Sequence, residues 1–194
     1  MRDGWSVKAG DIEVEAKIVV NAAGAWADEV AKLAGIAPIG LTPLRRSMAR
    51  VSAPQDVDIT HWPLLFGVGE GWYCKPDAGA LIISPADEDP STPHDAWADD
   101  MVLAEAIAQY EDRVDHSVSR MLSNWAGLRT FAPDRQLVLG PDIADQSFVW
   151  CAGQGGYGMQ SSPAAGQLIA DLVAQRDSAL DPDAIRALSP SRFN

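Results

Sequence analysis

Trp150-Cys151-Ala152-Gly153-Gln154-Gly155-Gly156-Tyr157-Gly158-Met159-Gln160 runs into the apolar stretch Ser162 to Val173. Its first residues have the texture of a buried strand and the stretch that follows has that of a helix, so the glycines occupy a strand-to-helix turn. Glycines at 153, 155, 156 and 158 remove the Cβ atoms that would keep a flat ligand off the backbone, and they tolerate positive φ where the chain reverses. Taken alone, the run reads as an ordinary Gly-rich connection, because glycine patterns are weak signals.

Two further segments give it context. Lys17-Ile18-Val19-Val20-Asn21-Ala22-Ala23-Gly24-Ala25-Trp26-Ala27 reads as a buried strand ending in small residues, followed by a helix through Leu33 that Gly35 closes. Trp125-Ala126-Gly127-Leu128-Arg129, with Pro133-Asp134, is the third segment. In order and spacing, the three resemble the C-terminal half of the glycine oxidase and D-amino acid oxidase superfamily of FAD enzymes. Within it, Gly155-Gly156-Tyr157-Gly158-Met159-Gln160 is most similar to the D-arginine dehydrogenase-like D-amino acid dehydrogenases. The resemblance covers Ile12 to Val173.

That resemblance implies FAD as cofactor. It assigns cofactor contacts to Ala23, Gly24, Gly153, Gly155, Gly156, Tyr157, Gly158, Met159 and Gln160. Some relatives attach flavin through a cysteine near the segment that holds Arg129; none stands there in this chain, so non-covalent FAD is expected. A family member opens with a strand, a Gly-x-Gly-x-x-Gly turn and a helix whose N-terminus holds the pyrophosphate. No such fingerprint precedes Val19. The chain is therefore expected to be a C-terminal fragment of a longer enzyme, inactive in isolation. It would need an N-terminal FAD-binding half or would self-associate; the alternative is a non-catalytic fragment or partner subunit.

Composition narrows the partners. A net charge of −12 with no basic stripe argues against nucleic acid, whose phosphates would be repelled. No apolar run approaches the roughly 20 residues of a membrane span. Met1 to Trp5 has no apolar signal-peptide core, and two cysteines, Cys74 and Cys151, make no disulfide framework, so a cytoplasmic location is expected. His61, His94 and His116 are scattered without ligand partners at metal spacing, and no metal site is expected.

The pattern of elements implies a mixed α+β and α/β chain. An antiparallel-sheet substrate domain, residues 38–139, interrupts the C-terminal part of a Rossmann-like FAD-binding domain, residues 1–37 and 140–175. Residues 4 to 20 read as a hairpin feeding the strand that ends at Asn21. Short strands are expected at 44–51, 71–75, 80–84, 123–128, 136–139 and 148–152, and a loop over 87–100. A helix over 101–114 would bury Val102, Ala106, Tyr110 and Val114. The last helix is expected over 162–175 with Pro163 in its first turn, and residues 176–194 as a loosely held tail.

Oxidising the C–N bond of an amino acid requires its carboxylate to be held while Cα–H faces the flavin. A guanidinium does this bidentately and stays charged at any working pH. The resemblance places Arg129 at the carboxylate-binding arginine and Arg46 at a second active-site arginine. It puts the Tyr73 hydroxyl near that carboxylate, the Gly156 carbonyl near the substrate amine, and the Gln160 side chain in the site. Bland alternatives stand beside each: Arg46 as a solvated charge next to Arg45, Arg129 as a structural charge, Tyr73 as a sheet tyrosine, Gln160 as a plain helix residue. No acid–base dyad occurs, and hydride transfer from a neutral amine needs none, so no catalytic residue is assigned and orientation is the main contribution. Substrate identity, and oxidase against dehydrogenase, stay open.

Overall fold

The computed structural model describes residues 4–55, 57–69 and 71–193. In chain order the elements begin with strands β1 (Trp5–Ala9), β2 (Ile12–Ala16) and β3 (Val19–Asn21), helix α1 (Ala27–Leu33) and the long strand β4 (Thr42–Ser52). Then come β5 (Leu65–Phe66), β6 (Tyr73–Asp77), β7 (Ala80–Ser84), β8 (Asp89–Pro90), α2 (Asp100–Glu111) and β9 (Met121–Phe131). The chain closes with β10 (Val138–Pro141), β11 (Phe148–Ala152), α3 (Gly158–Val173) and α4 (Pro182–Leu188).

Two compact units result, one from residues 1–43 and 129–194, the other from 44–128. In the first, β11 pairs in parallel with β3 and antiparallel with β10. Phe148 and Trp150, fully buried, pack with Ala27, Ala31 and Ile36 on one face of this sheet. On the other, Leu139 and Val149 meet Ala165, Leu168 and Ile169 of α3. Each large side chain buried in this way stabilises the fold by about 1.5–3 kcal/mol. Trp150 also donates from Nε1 to Asp142 at 3.0 Å, so neither buried polar group is left unsatisfied.

Helix α1 ends in a Schellman arrangement, with Gly35 at φ +72, Gly35 N–H donating to Lys32 and Ile36 N–H to Ala31. Gly35 was readable as its stop for this reason. Asp28 then accepts from the N–H groups of Ile39, Gly40 and Leu41, which ties the following loop back to the helix.

The second unit is an antiparallel sheet in the order β5-β6-β7-β4-β8, with β9 also on β4. β7 is buried along its whole length. Helix α2, capped by Asp99 accepting from Met101 and Val102 N–H, lays Leu103, Ala106 and Tyr110 against Cys74, Leu81 and Ile83. Leu103, not Val102, is buried, because positions 103, 106 and 110 stand at i, i+3 and i+7 on one helical face; the helix ends at Glu111.

Several boundaries differ from the sequence reading. The units divide at Pro43 and Leu128 rather than at 37 and 139, because the chain passes from one to the other within the continuous strands β4 and β9 rather than in a loop. The segment read as a loop over 87–100 contributes β8, paired with Leu44 and Arg45. Helix α3 begins at Gly158, so Pro163 lies in its interior; the Met159 carbonyl that proline cannot serve accepts from the Ser162 hydroxyl at 3.0 Å.

The tail after residue 175 is held rather than loose. Leu180, Ile185 and Leu188 pack on the Leu139 and Leu168 cluster. Arg192 grips Asp134 with two nitrogens, at 2.6 and 3.1 Å.

Candidate functional site

In the first unit the glycine loop leaves β11 at Gly153 (φ +72), turns again at Gly155 (φ +52) and enters α3. Gly155 N–H donates to Thr130 at 2.9 Å, which moors the loop to β9. Helix α3 has no side-chain cap, and Gly156, Tyr157, Met159 and Gln160 at its start are exposed. The first-turn N–H groups of such a helix carry a partial positive charge with no internal partner.

The chain's own side chains account for two of these glycines. A Cβ on Gly155 would overlap the Phe131 ring, within 2.8 Å of Cζ, and that ring is covered by the Arg135 guanidinium at 3.9 Å. A Cβ on Gly156 would lie 3.1 Å from Arg129 Nη1. Gly153 is buried against Gln136 and Val138, so it shapes the loop.

Arg129 is half-buried in β9, and among the described residues nothing accepts a hydrogen bond from its guanidinium or pairs with its charge. Arg45, Arg46, Arg50 and Arg192 are all ion-paired. A partly desolvated guanidinium without an acceptor favours an incoming anion, above all a carboxylate that can take two N–H bonds at once.

At the end of β3, the buried Asn21 donates from Nδ2 to the Ala27 carbonyl at 2.8 Å, while its Oδ1 accepts from Ala23 N–H at 3.3 Å. These bonds fix the small-residue turn that follows. Gly24, at φ +56, has nothing within 4 Å of the place a Cβ would occupy.

In the second unit Arg46 and Tyr73 come together, with the guanidinium carbon 5.9 Å from the ring centroid. Arg46 is not a solvated charge. Its Nε donates to the Asp87 carbonyl at 2.8 Å and its Nη2 pairs with Glu88 at 3.1 Å. The Tyr73 hydroxyl lies 3.4 Å from Met48 Sδ, a weak acceptor, and its ring packs on Phe66.

Three residues escaped the sequence reading. Asn21 organises the Ala23–Gly24 turn, Asp87 organises the Arg45–Arg46 strand, and Thr130 carries a buried hydroxyl with no hydrogen-bond partner among the described residues. An asparagine directly before a run of alanines and glycine was the available signal for the first. The other two depend on contacts between distant segments.

The family model described as FAD dependent oxidoreductase (DAO) matches residues 1–172. The chain belongs to the DAO family. FAD is the cofactor of that family. Glycine oxidase of Geobacillus kaustophilus is 28% identical over 174 residues, covering 86% of this chain and 43% of that protein. FAD-dependent oxidoreductase domain-containing protein 1 of Xenopus laevis is 27% identical over 182 residues, covering 82% of this chain and 35% of its own length. Among solved structures, glycine oxidase from Geobacillus kaustophilus superposes with a TM-score of 0.81 at 23% identity, covering 98% of this chain and 50% of that one. L-proline dehydrogenase from P. horikoshii gives 0.79 at 23% identity, covering 97% and 50%. These likenesses establish the mixed fold, and the chain spans half or less of each relative's length.

The DAO-family chain has features that suit its cofactor. The open, left-handed turn at Gly24 gives a flat or extended group access to backbone, and the uncapped start of α3 offers N–H donors to an electron-rich ring edge.

Proposed function

We propose that this chain is the C-terminal portion of an FAD-dependent oxidoreductase that oxidises the C–N bond of a D-amino acid or a related amino acid. One observation carries the reading: the Arg129 guanidinium lies against Gly156 with no acceptor among the described residues. In the proposed mechanism Arg129 holds the substrate carboxylate bidentately. By the family resemblance Tyr73 and Arg46 are assigned to the same substrate, and the Gly156 carbonyl and Gln160 side chain to its amine. Bound FAD supplies the two-electron acceptor. We assign its non-covalent contacts to Ala23 and Gly24 and to the loop and helix start from Gly153 through Gln160, where the exposed Gly156, Tyr157, Met159 and Gln160 are the accessible members.

The test is Arg129→Met in the FAD-loaded enzyme. Loss of a charge-assisted bidentate contact removes about 2–4 kcal/mol, so kcat/KM for amino acids falls tens- to hundreds-fold while flavin content stays the same. Wild-type efficiency in the variant overturns the assignment.

A second reading, in which the chain is a partner subunit that requires a separate FAD-binding half or a second copy, draws on the hairpin. Val7, Ile12 and Val14 form an exposed apolar face on β1 and β2. Light scattering with an FAD titration decides it: a monomer that binds FAD tightly rules this reading out. Two free, buried or half-buried cysteines support a reducing compartment such as the cytoplasm.

A further inference from the structure

The turn between β9 and β10 touches the glycine loop at two points, both within the first unit. The Gln136 carbonyl lies 3.3 Å from where a Gly153 Cβ would stand. The Arg135 guanidinium covers the Phe131 ring, and that ring fills the Cβ position of Gly155. Arg135 has φ +61, a conformation that a residue with a Cβ keeps only where surrounding contacts impose it. Arg192, beyond α4, clasps the turn on both sides of Arg135. Its Nε and Nη2 donate to the two Asp134 carboxylate oxygens at 2.6 and 3.1 Å, and Nη2 donates again to the Gln136 carbonyl at 3.2 Å. Nη1 donates to the Leu188 and Ser189 carbonyls at 2.8 and 3.0 Å. All five N–H bonds of the guanidinium are thus engaged, and a planar fork is what spans a carboxylate and three carbonyls together.

We propose that Arg192 is a positioning residue for the glycine loop. It locks the 133–136 turn, and that turn sets where Gly153 stands through the Gln136 carbonyl and where Gly155 stands through the Arg135–Phe131 stack. Gly156 follows directly, so its spacing from the Arg129 guanidinium depends on the same brace. The physical reason is that Gly153 and Gly155 impose little backbone preference of their own, so the loop takes its shape from the groups packed against it. The inference rests on the proposed function for one consequence alone: a loosened turn lowers the affinity of the loop for FAD.

Native-state amide exchange of the full chain compares wild type with Arg192→Lys and Arg186→Ala. Lysine keeps the charge but carries its donors on one atom, so it cannot span Asp134, Gln136 and the end of α4 together. In Arg192→Lys the Gly155 and Tyr157 amides, which donate to the Thr130 and Gln154 carbonyls, exchange about tenfold faster, while Leu168 and Ile169 in the body of α3 keep the wild-type rate. Arg186→Ala removes the pair with Asp183 on α4 and alters exchange within residues 182–193 only. If Arg192→Lys also speeds exchange in 182–193 alone, Arg192 merely anchors the tail and the proposal is overturned. Should the lysine variant fail to fold, Asp134→Asn at pH 7 gives the same pattern at about twofold amplitude, and an unaltered Gly155 rate there overturns the proposal equally. An FAD titration followed by flavin fluorescence is the second readout, with a dissociation constant about fivefold higher in Arg192→Lys. If wild type takes up no FAD, the assignment of the loop to the cofactor fails, while the Gly155 exchange rate still decides the role of Arg192.

Discussion

Arg129 Nη1 lies 3.1 Å from where a Gly156 Cβ would stand, so this glycine, two residues before α3, sets the room available to the guanidinium. Gly156 is not in the left-handed region, and alanine is sterically admissible to its backbone. Gly156→Ala is therefore expected to change stability by less than about 1 kcal/mol while it displaces the guanidinium by a few tenths of an ångström. KM for carboxylate substrates rises several-fold, and the bulkier Gly156→Val has a larger effect. Steady-state kinetics paired with a melting curve checks this; an unaltered KM in both variants detaches Gly156 from Arg129.

Gly155 answers to a different constraint. Its φ of +52 disfavours any side chain and its Cβ position is filled by the Phe131 ring, so Gly155→Ala costs about 1–3 kcal/mol. Phe131→Leu in the same chain recovers part of that loss, because it removes the overlap but leaves the backbone strain. Urea unfolding of the single and double variants measures the coupling, and strictly additive losses would show that the ring is not the obstacle.

The tail responds to acid. The Arg192 hydrogen bond holds the Asp134 carboxyl below its usual range, with burial opposing it. A depressed folded-state pKa contributes stability that is fully present above the unfolded pKa and is lost as pH falls through the folded value. Asp134→Asn is thus less stable than wild type at pH 7, by under about 1 kcal/mol for a partly exposed pair, and matches it once Asp134 is protonated. Amide exchange of residues 182–193 at pH 7 and pH 3 reads this out; a difference that persists at pH 3 contradicts it.

Cys74 is expected to be chemically quiet. Burial pushes its thiol up to about 11, so at pH 8 it is almost wholly protonated and poorly nucleophilic. Alkylation with iodoacetamide at pH 8 labels it only as the fold opens, with a rate that rises in urea. Rapid labelling of Cys74 in the native protein would mean that the strand is exposed in solution.

Much of the local architecture was legible from short-range pattern. The alternation around residues 5 to 16 required a hairpin, and the register Val7 to Val14 and Ala9 to Ile12 gathers its apolar residues on one face. Gly35 closes α1 because the Schellman bonds need a left-handed residue there. The helical spacing of Ala106 and Tyr110 located the buried face of α2. In the glycine loop the turn itself was readable, since a strand, four glycines and an apolar helix occur in one uninterrupted run.

What lay beyond such patterns involves groups distant in the chain. Whether Arg46 is a free charge depends on Asp87 and Glu88, some forty residues away, and whether the tail is held depends on Asp134. The passages between the two units were not legible because they occur inside the strands β4 and β9 and not in a loop that composition could flag. Local sequence determines backbone conformation through φ, ψ preference and periodicity, which act over a few residues. The ion pairs on Arg46 and, among the described residues, the absence of any on Arg129 arise from the pairing of remote strands, so the different surroundings of two similar arginines emerged only when the chain was folded.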